Sequence, residues 1–411
     1  MRILLISDHS DPLVEIGSKE AGGQNIYVFY LAKFLSKLGA EIDIYTRWDR
    51  RNKKEVVNLN GRVRVIRIKA GPKKHIPRDD FLKIINQFTN SILKKLDREK
   101  LVYDIIHSNY WFSGIAGLTI SQKTGWPLVH TFHSIGQIRQ RTLSKYKQIN
   151  SDQIFKDRLK WEKTIAKRTR AIIATSPIEK TIIKKLFQIP ASKIKFIPIG
   201  IDTNIFKPVK LKTARQKLGW PQAGKILLYV GRIEWRKGIA TLLYAAKQVL
   251  KKYPRTRLYI VGGGKTKISQ SLDAAEKQRL NQIAKELKIN AKVKFLGPKP
   301  QRRLKLFYSA ANVVVVPSYY EPFGIVPLEA MACGTPVVAS KTGGLKFTVL
   351  SGSTGYLAKP HNYDDLAKKI VLILKQGRTK FSKPCRRRIE QNFLWPNIAQ
   401  IYLRHFKKII N

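Results

Sequence analysis

Two glutamates eight positions apart, Glu321 and Glu329, flank Gly324 and the backbone amides of Ile325 and Val326 in the stretch NVVVVPSYYEPFGIVPLEAMACGTPVVASKTGG, residues 312–344. It reads as a buried strand from Asn312 to Pro317, a Ser-Tyr-Tyr loop, a Glu-Pro-Phe-Gly turn, a short helix ending near Gly334 and a second buried strand, Thr335 to Ser340. Carboxylates accept hydrogen bonds from sugar hydroxyls, and free amides at the positive end of a helix attract phosphate oxygens. One such segment can hold a sugar, a diphosphate and a ribose together. Arg232 and Lys237, in Gly-Arg-Ile-Glu-Trp-Arg-Lys-Gly, fall at a strand end and a helix start, where two cations can neutralise a diphosphate leaving group. Gly22-Gly23 opens a further helical pattern after a first strand, Arg2 to Ser7, and lets the backbone come close to a ligand.

These positions need elements to hold them. In the first half, strand patterns recur at Glu41 to Thr46, Val63 to Lys69, Asp104 to Ser108, Pro127 to His133, Ala171 to Ser176 and Ile194 to Gly200, with helical periodicity between most of them. That alternation predicts a parallel sheet with helices on both faces, and ligands then bind beyond the carboxyl ends of the strands. The residues just past those ends include Arg78, Asn109-Tyr110-Trp111 and His133-Ser134. Arg158 stands four residues before Glu162 on a predicted helix, Asp152 to Arg168, in the arrangement of a surface salt bridge. Each of these has a structural explanation when taken singly. Strands recur in the second half at Lys225 to Val230, Leu258 to Val261, Val293 to Leu296 and Gly355 to Ala358, and the chain closes on an amphipathic helix, Trp395 to Ile410, after a basic linker around Lys383 to Arg388. The segment 197–208, rich in Pro, Gly, Asp and Asn, divides the halves.

A lone Glu-x7-Glu spacing is ordinarily surface charge. Here it comes with Pro-Phe-Gly, Leu-Glu-Ala-Met-Ala and Gly-Thr-Pro-Val-Val in fixed order, and the whole resembles the C-terminal signature of the family 4 retaining glycosyltransferases. The resemblance implies the GT-B fold: two Rossmann-like domains of α/β class facing a central cleft, with the C-terminal helix crossing back to the N-terminal domain. The implied domains are 1–200 for the acceptor, 201–385 for the nucleotide sugar, and 386–411 for the returning helix. Glu321 would contact the donor sugar and Glu329 the ribose, while the amides from Gly324 to Val326 face the sugar and diphosphate. Arg232 and Lys237 match the family's diphosphate-binding pair. Gly-Gly-Gln-Asn-Ile-Tyr-Val resembles the loop of members similar to sucrose-phosphate synthase or using inositol phosphate. It implies Gly22 and Gly23 against the donor diphosphate and Asn25 near the acceptor. Arg78, Tyr110, Ser134 and Arg158 resemble the positions that hold an acceptor phosphate, and His133 the one that touches the donor sugar.

The implied reaction is retaining transfer from a nucleotide-diphosphate sugar, with a UDP-sugar favoured, to a phosphorylated sugar or polyol. The cations and amides would carry the leaving-group charge, so no metal and no organic cofactor is expected. A lipid-linked or polysaccharide acceptor is the alternative. The 411 residues allow two domains, and the 43% apolar content is that of a globular chain. The absence of a spanning apolar run and of a signal pattern leads to an expectation of a cytoplasmic protein. Cys333 and Cys385 offer no disulfide framework. The net charge of +52, from 79 Lys and Arg against 27 Asp and Glu, is spread along the chain, which favours a compositional bias. Contact with an anionic membrane ranks second. A nucleic-acid-binding protein ranks third, with no zinc finger or basic zipper to support it. A glycan phosphorylase would need a pyridoxal-binding lysine motif that the sequence does not contain.

Overall fold

The computed structural model describes residues 1–14, 22–144, 153–264 and 267–411. Residues 1–14, 22–198 and 395–411 form one compact unit and residues 199–394 the other. The first is built on an eight-stranded sheet of β1 (Arg2–Ile6), β2 (Glu41–Arg47), β3 (Val56–Asn58), β4 (Val63–Ile68), β5 (Ile105–Asn109), β6 (Leu128–Thr131), β7 (Ala171–Ala174) and β8 (Ile194–Phe196), in the order β3-β4-β2-β1-β5-β6-β7-β8. All neighbours are parallel except β3, which runs antiparallel to β4 at the edge. That short strand carries no apolar alternation and went unread in the sequence. Leu4, Leu5 and Ile6 of β1 are fully buried, as a strand covered by helices on both faces requires.

The second unit holds a six-stranded parallel sheet: β9 (Ile226–Val230), β10 (Arg257–Val261), β11 (Val293–Phe295), β12 (Val313–Val316), β13 (Val337–Ser340) and β14 (Gly355–Ala358), ordered β11-β10-β9-β12-β13-β14. In both sheets the order reverses beside the first strand. β1 lies between β2 and β5, and β9 between β10 and β12. Helices leave the sheet on opposite faces at such a point, which opens a crevice at the carboxyl ends of those strands.

One sequence expectation changes. Lys383 to Arg388, read as a linker, lies within the helix Arg378–Asn392. Phe381, Cys385 and Ile389 recur every fourth residue and are all fully buried, and this stripe sustains the helix despite Pro384. The basic side chains of the run are used locally: Arg386 donates to Ala332 O at 2.8 Å and Arg388 to Thr348 O at 3.1 Å. The terminal helix, Trp395–Ile410, belongs to the first unit. Its apolar face meets the helix Gly23–Lys37: Trp395 stacks on Tyr30 and Phe34 at 6.2 Å each, and the hydroxyls of Tyr402 and Tyr27 share a hydrogen bond of 2.6 Å. No helix among the described residues is long and apolar enough to cross a membrane.

Trp395 is 1% exposed, and removing a core aromatic costs about 3–5 kcal/mol. Trp395→Ala should lower the stability of the first unit by that amount in urea denaturation.

Candidate active site

In the first unit the candidate residues gather at the ends of β1, β5 and β6. Tyr110, just past β5, sits at φ 74° and ψ 157°, and His133, just past β6, at φ 56°. Such backbone costs about 1–3 kcal/mol for a residue with a side chain and persists only where its surroundings fix it. At Tyr110 they do. Arg158, 4% exposed, donates through Nη1 to the Tyr110 hydroxyl at 3.2 Å, and through Nη2 to the Ser134 carbonyl at 2.7 Å and to its Oγ at 3.3 Å. Both hydroxyls accept from Arg158, which leaves each O–H hydrogen to donate elsewhere.

The third arm of Arg158, Nε, donates to Glu162 Oε1 at 2.7 Å. Glu162 is completely buried rather than part of a surface bridge, and also accepts from the Gly136 N–H at 3.0 and 2.9 Å. Burial raises its pKa against the opposing pull of Arg158. The spacing of the pair was legible in the sequence, but its burial was not.

His133 Nε2 lies 2.8 Å from Asn109 Oδ1, while the Asn109 amide nitrogen donates to Ile6 O and His107 O at 3.3 and 3.4 Å. With its NH2 so used, Asn109 presents an acceptor, so His133 carries its proton on Nε2 and offers Nδ1 as an acceptor. Burial pushes its pKa down to about 3, so the ring is neutral.

Gly22 has extended backbone, and a Cβ placed on it would meet nothing within 4 Å among the described residues. No described neighbour therefore requires glycine here, whereas a ligand lying against the amide would. Asn25 is buried, with both ends of its amide on backbone: it accepts from Gly22 N–H at 3.0 Å and donates to Asp11 O at 2.8 Å. It shapes the glycine loop. Arg78 opens the 3-10 helix Arg78–Ile84, and its side chain lies outside the described residues. One residue missed in the sequence is His9, next to β1, whose Nδ1 is 3.0 Å from Asp8 Oδ2 and whose ring centroid is 4.8 Å from that of Tyr110. Its place directly after the first strand was the available signal.

In the second unit the ends of β9 and β12 bring Lys237 and Glu321 together, with Nζ 2.5 Å from Oε2 and side chains 15% and 18% exposed. Burial opposes the charge on Glu321, but Lys237, Arg236 and Arg232 together outweigh it and hold its carboxyl below the usual value. Burial likewise lowers Lys237. Arg232, at the end of β9, pairs with Glu234 at 2.8 Å, and Arg236 pairs with the same carboxylate at 2.7 Å. The turn after Glu321 depends on glycines. Gly324 has φ 98° at the start of the helix Ile325–Ala332, and at Gly343, with φ 43°, a Cβ would come within 2.1 Å of Glu321 O. The amides of Ile325 and Val326 thus stand in the first turn, where a helix leaves N–H groups without helical partners. Glu329, on the same helix, is 4% exposed and accepts from the Tyr308 hydroxyl at 2.5 Å.

The two halves match known proteins separately and together. Residues 21–205 match the model described as Glycosyltransferase Family 4, and residues 211–392 that described as Glycosyl transferases group 1. A D-inositol 3-phosphate glycosyltransferase of Corynebacterium aurimucosum is 34% identical over 388 residues, 93% of this chain and 90% of that one. The chain belongs to glycosyltransferase family 4. Its fold is GT-B: the sucrose-phosphate synthase of Thermosynechococcus elongatus superposes with TM-score 0.91 at 36% identity, covering 100% of this chain and 99% of that one. Anabaena HepE in complex with UDP-glucose shares the fold at TM-score 0.75 and 22% identity, covering 99% of this chain and all of that one.

The buried carboxyl of Glu329 gives this family member a pH signature. Burial raises its pKa from 4.5 to about 7, the Tyr308 hydrogen bond opposing. The folded state therefore holds a proton that the unfolded state has lost between those values, so this group's contribution to stability is full below pH 4.5 and lost as pH rises through 7. Chemical denaturation on either side of that window should show a loss of about 3 kcal/mol that Glu329→Gln removes.

Proposed function

We propose that this glycosyltransferase moves a hexosyl group from a UDP-sugar to a hydroxyl of a phosphorylated polyol or sugar, with retention of anomeric configuration and without a metal. The observation that carries the acceptor is the buried Arg158, which turns the Tyr110 and Ser134 hydroxyls into donors beside the strained end of β5. Two donors held by a guanidinium suit a phosphate. The names of two relatives, a D-inositol 3-phosphate glycosyltransferase and a sucrose-phosphate synthase, carry a phosphorylated polyol and sugar respectively, which supports the same reading. The structure of HepE with UDP-glucose supports a UDP-linked donor.

In this reading the bond from the sugar's anomeric carbon to the diphosphate breaks, and its electron pair leaves with the diphosphate. Lys237, Arg232 and the amides of Gly22, Gly23, Ile325 and Val326 meet the growing charge. Arg232 exchanges Glu234 for phosphate oxygens. Each contact made mainly in the transition state is worth about 3 kcal/mol, roughly a hundredfold in rate. Glu321 binds the sugar hydroxyls and Glu329 the ribose. The neutral His133 accepts a sugar hydroxyl at Nδ1. The acceptor oxygen attacks from the face the diphosphate leaves, and its proton passes to a leaving phosphate oxygen. The acceptor phosphate rests on Tyr110 and Ser134, with Arg78 as a further cation.

Steady-state kinetics test this assignment. Tyr110→Phe and Ser134→Ala should each raise the acceptor KM about tenfold and leave the donor KM unchanged, since each removes one hydrogen bond to a charged group. Lys237→Ala should instead lower kcat about a hundredfold. An acceptor KM untouched by both hydroxyl variants would place the phosphate elsewhere.

A further inference from the structure

The turn between β14 and the helix Tyr363–Gln376 contains a residue that its backbone does not favour. His361 has φ 61°, one position before Asn362, whose side chain caps that helix by accepting from Asp365 N–H at 2.8 Å. Glycine adopts this conformation without a steric penalty, and histidine does not. The imidazole lies flat on Tyr319, with ring centroids 3.6 Å apart and planes at 26°.

Tyr319 is a junction. Its N–H donates to Arg236 O at 2.9 Å, so it is tied to the segment that carries Lys237. Its carbonyl accepts from Thr342 Oγ1 at 3.2 Å, its hydroxyl lies 3.0 Å from Thr241 Oγ1, and its ring is 5.7 Å from that of Trp235. Two residues further on, Glu321 meets Lys237 at 2.5 Å. One tyrosine thereby registers the loop bearing the carboxylate against the loop bearing the ammonium, and the ring of His361 covers one face of it.

We propose that His361 is a positioning residue for the donor sugar: its stack on Tyr319 holds the loop 318–321 so that Glu321 faces the sugar in register with Lys237. This rests on the reading of Glu321 as the sugar ligand. The stack adds to the backbone bonds, the Thr241 and Trp235 contacts and the Lys237–Glu321 pair that hold the Ser-Tyr-Tyr-Glu loop, and a carboxylate displaced by a fraction of an ångström loses hydroxyl recognition without losing the nucleotide.

Titration calorimetry with UDP and with UDP-glucose, on the parent and on His361→Gly, His361→Phe and Glu321→Ala, tests the proposal. His361→Gly removes the ring and relieves the backbone together, so its melting temperature should stay close to that of the parent. It should bind UDP as the parent does and UDP-glucose about tenfold more weakly, whereas His361→Phe, which keeps a flat ring on Tyr319, should retain parental binding of both. UDP-glucose binding unchanged in His361→Gly but weakened in Glu321→Ala would overturn the positioning role alone. Unchanged UDP-glucose binding in Glu321→Ala would overturn the sugar-ligand reading and this inference with it. A phenylalanine variant as weak as the glycine one would rule out stacking as the cause.

Discussion

Neither member of the Lys237–Glu321 pair can be left alone. Both side chains are more than four-fifths covered, and a buried charge without its partner costs several kcal/mol. The local architecture is bent to satisfy this. β9 and β12 are neighbours in the sheet, so the loops that follow them emerge side by side. The backbone bond from Tyr319 to Arg236 ties those loops together, and glycine at Gly343 lets the chain pass directly against the Glu321 carbonyl. An ammonium and a carboxylate in contact, each largely buried, are complementary to a ligand that bears both anionic oxygens and hydroxyl groups.

The first unit solves a similar problem with a different charge. Arg158 and Glu162 neutralise each other inside the protein, and the remaining donors of the guanidinium reach Tyr110 and Ser134 at the ends of β5 and β6. The strained backbone of Tyr110 and His133 is held by these bonds and by Asn109. The same habit bears on the large positive charge of the chain. Several arginines are turned inward to carbonyls: Arg47 to Ala70 O, Arg215 to Ala310 O and Arg378 to Ala311 O. Part of the basic content is thus structural, binding loops and helix ends together, and needs no polyanion to account for it.

Most strands and both ends of the terminal helix were legible in the sequence, because parallel strands are continuous apolar runs and the helix has an apolar stripe. The signature from Glu321 to Glu329 was legible for a different reason: a turn, a helix start and a close glycine packing fix residue types at consecutive positions. What stayed hidden depends on contacts between distant segments. An i, i+4 pair such as Arg158–Glu162 has the same spacing in solvent and in the core. The role of Asn25 as a cap for the glycine loop needs Asp11 beside it, and Lys383 to Arg388 looked like a linker because its buried stripe is only three residues. The stack of His361 on Tyr319 joins positions more than forty residues apart, and no local pattern announces it.

The central claim is transfer from a nucleotide sugar to a phosphorylated acceptor. Its most direct test is release of nucleoside diphosphate from UDP-, GDP- and ADP-sugars, each offered with inositol phosphate, with fructose 6-phosphate or with no acceptor, in the presence and absence of EDTA. Release from a UDP-sugar that a phosphorylated acceptor stimulates and EDTA leaves intact is the expected result. Release that neither phosphate stimulates, or that EDTA abolishes, would contradict the account.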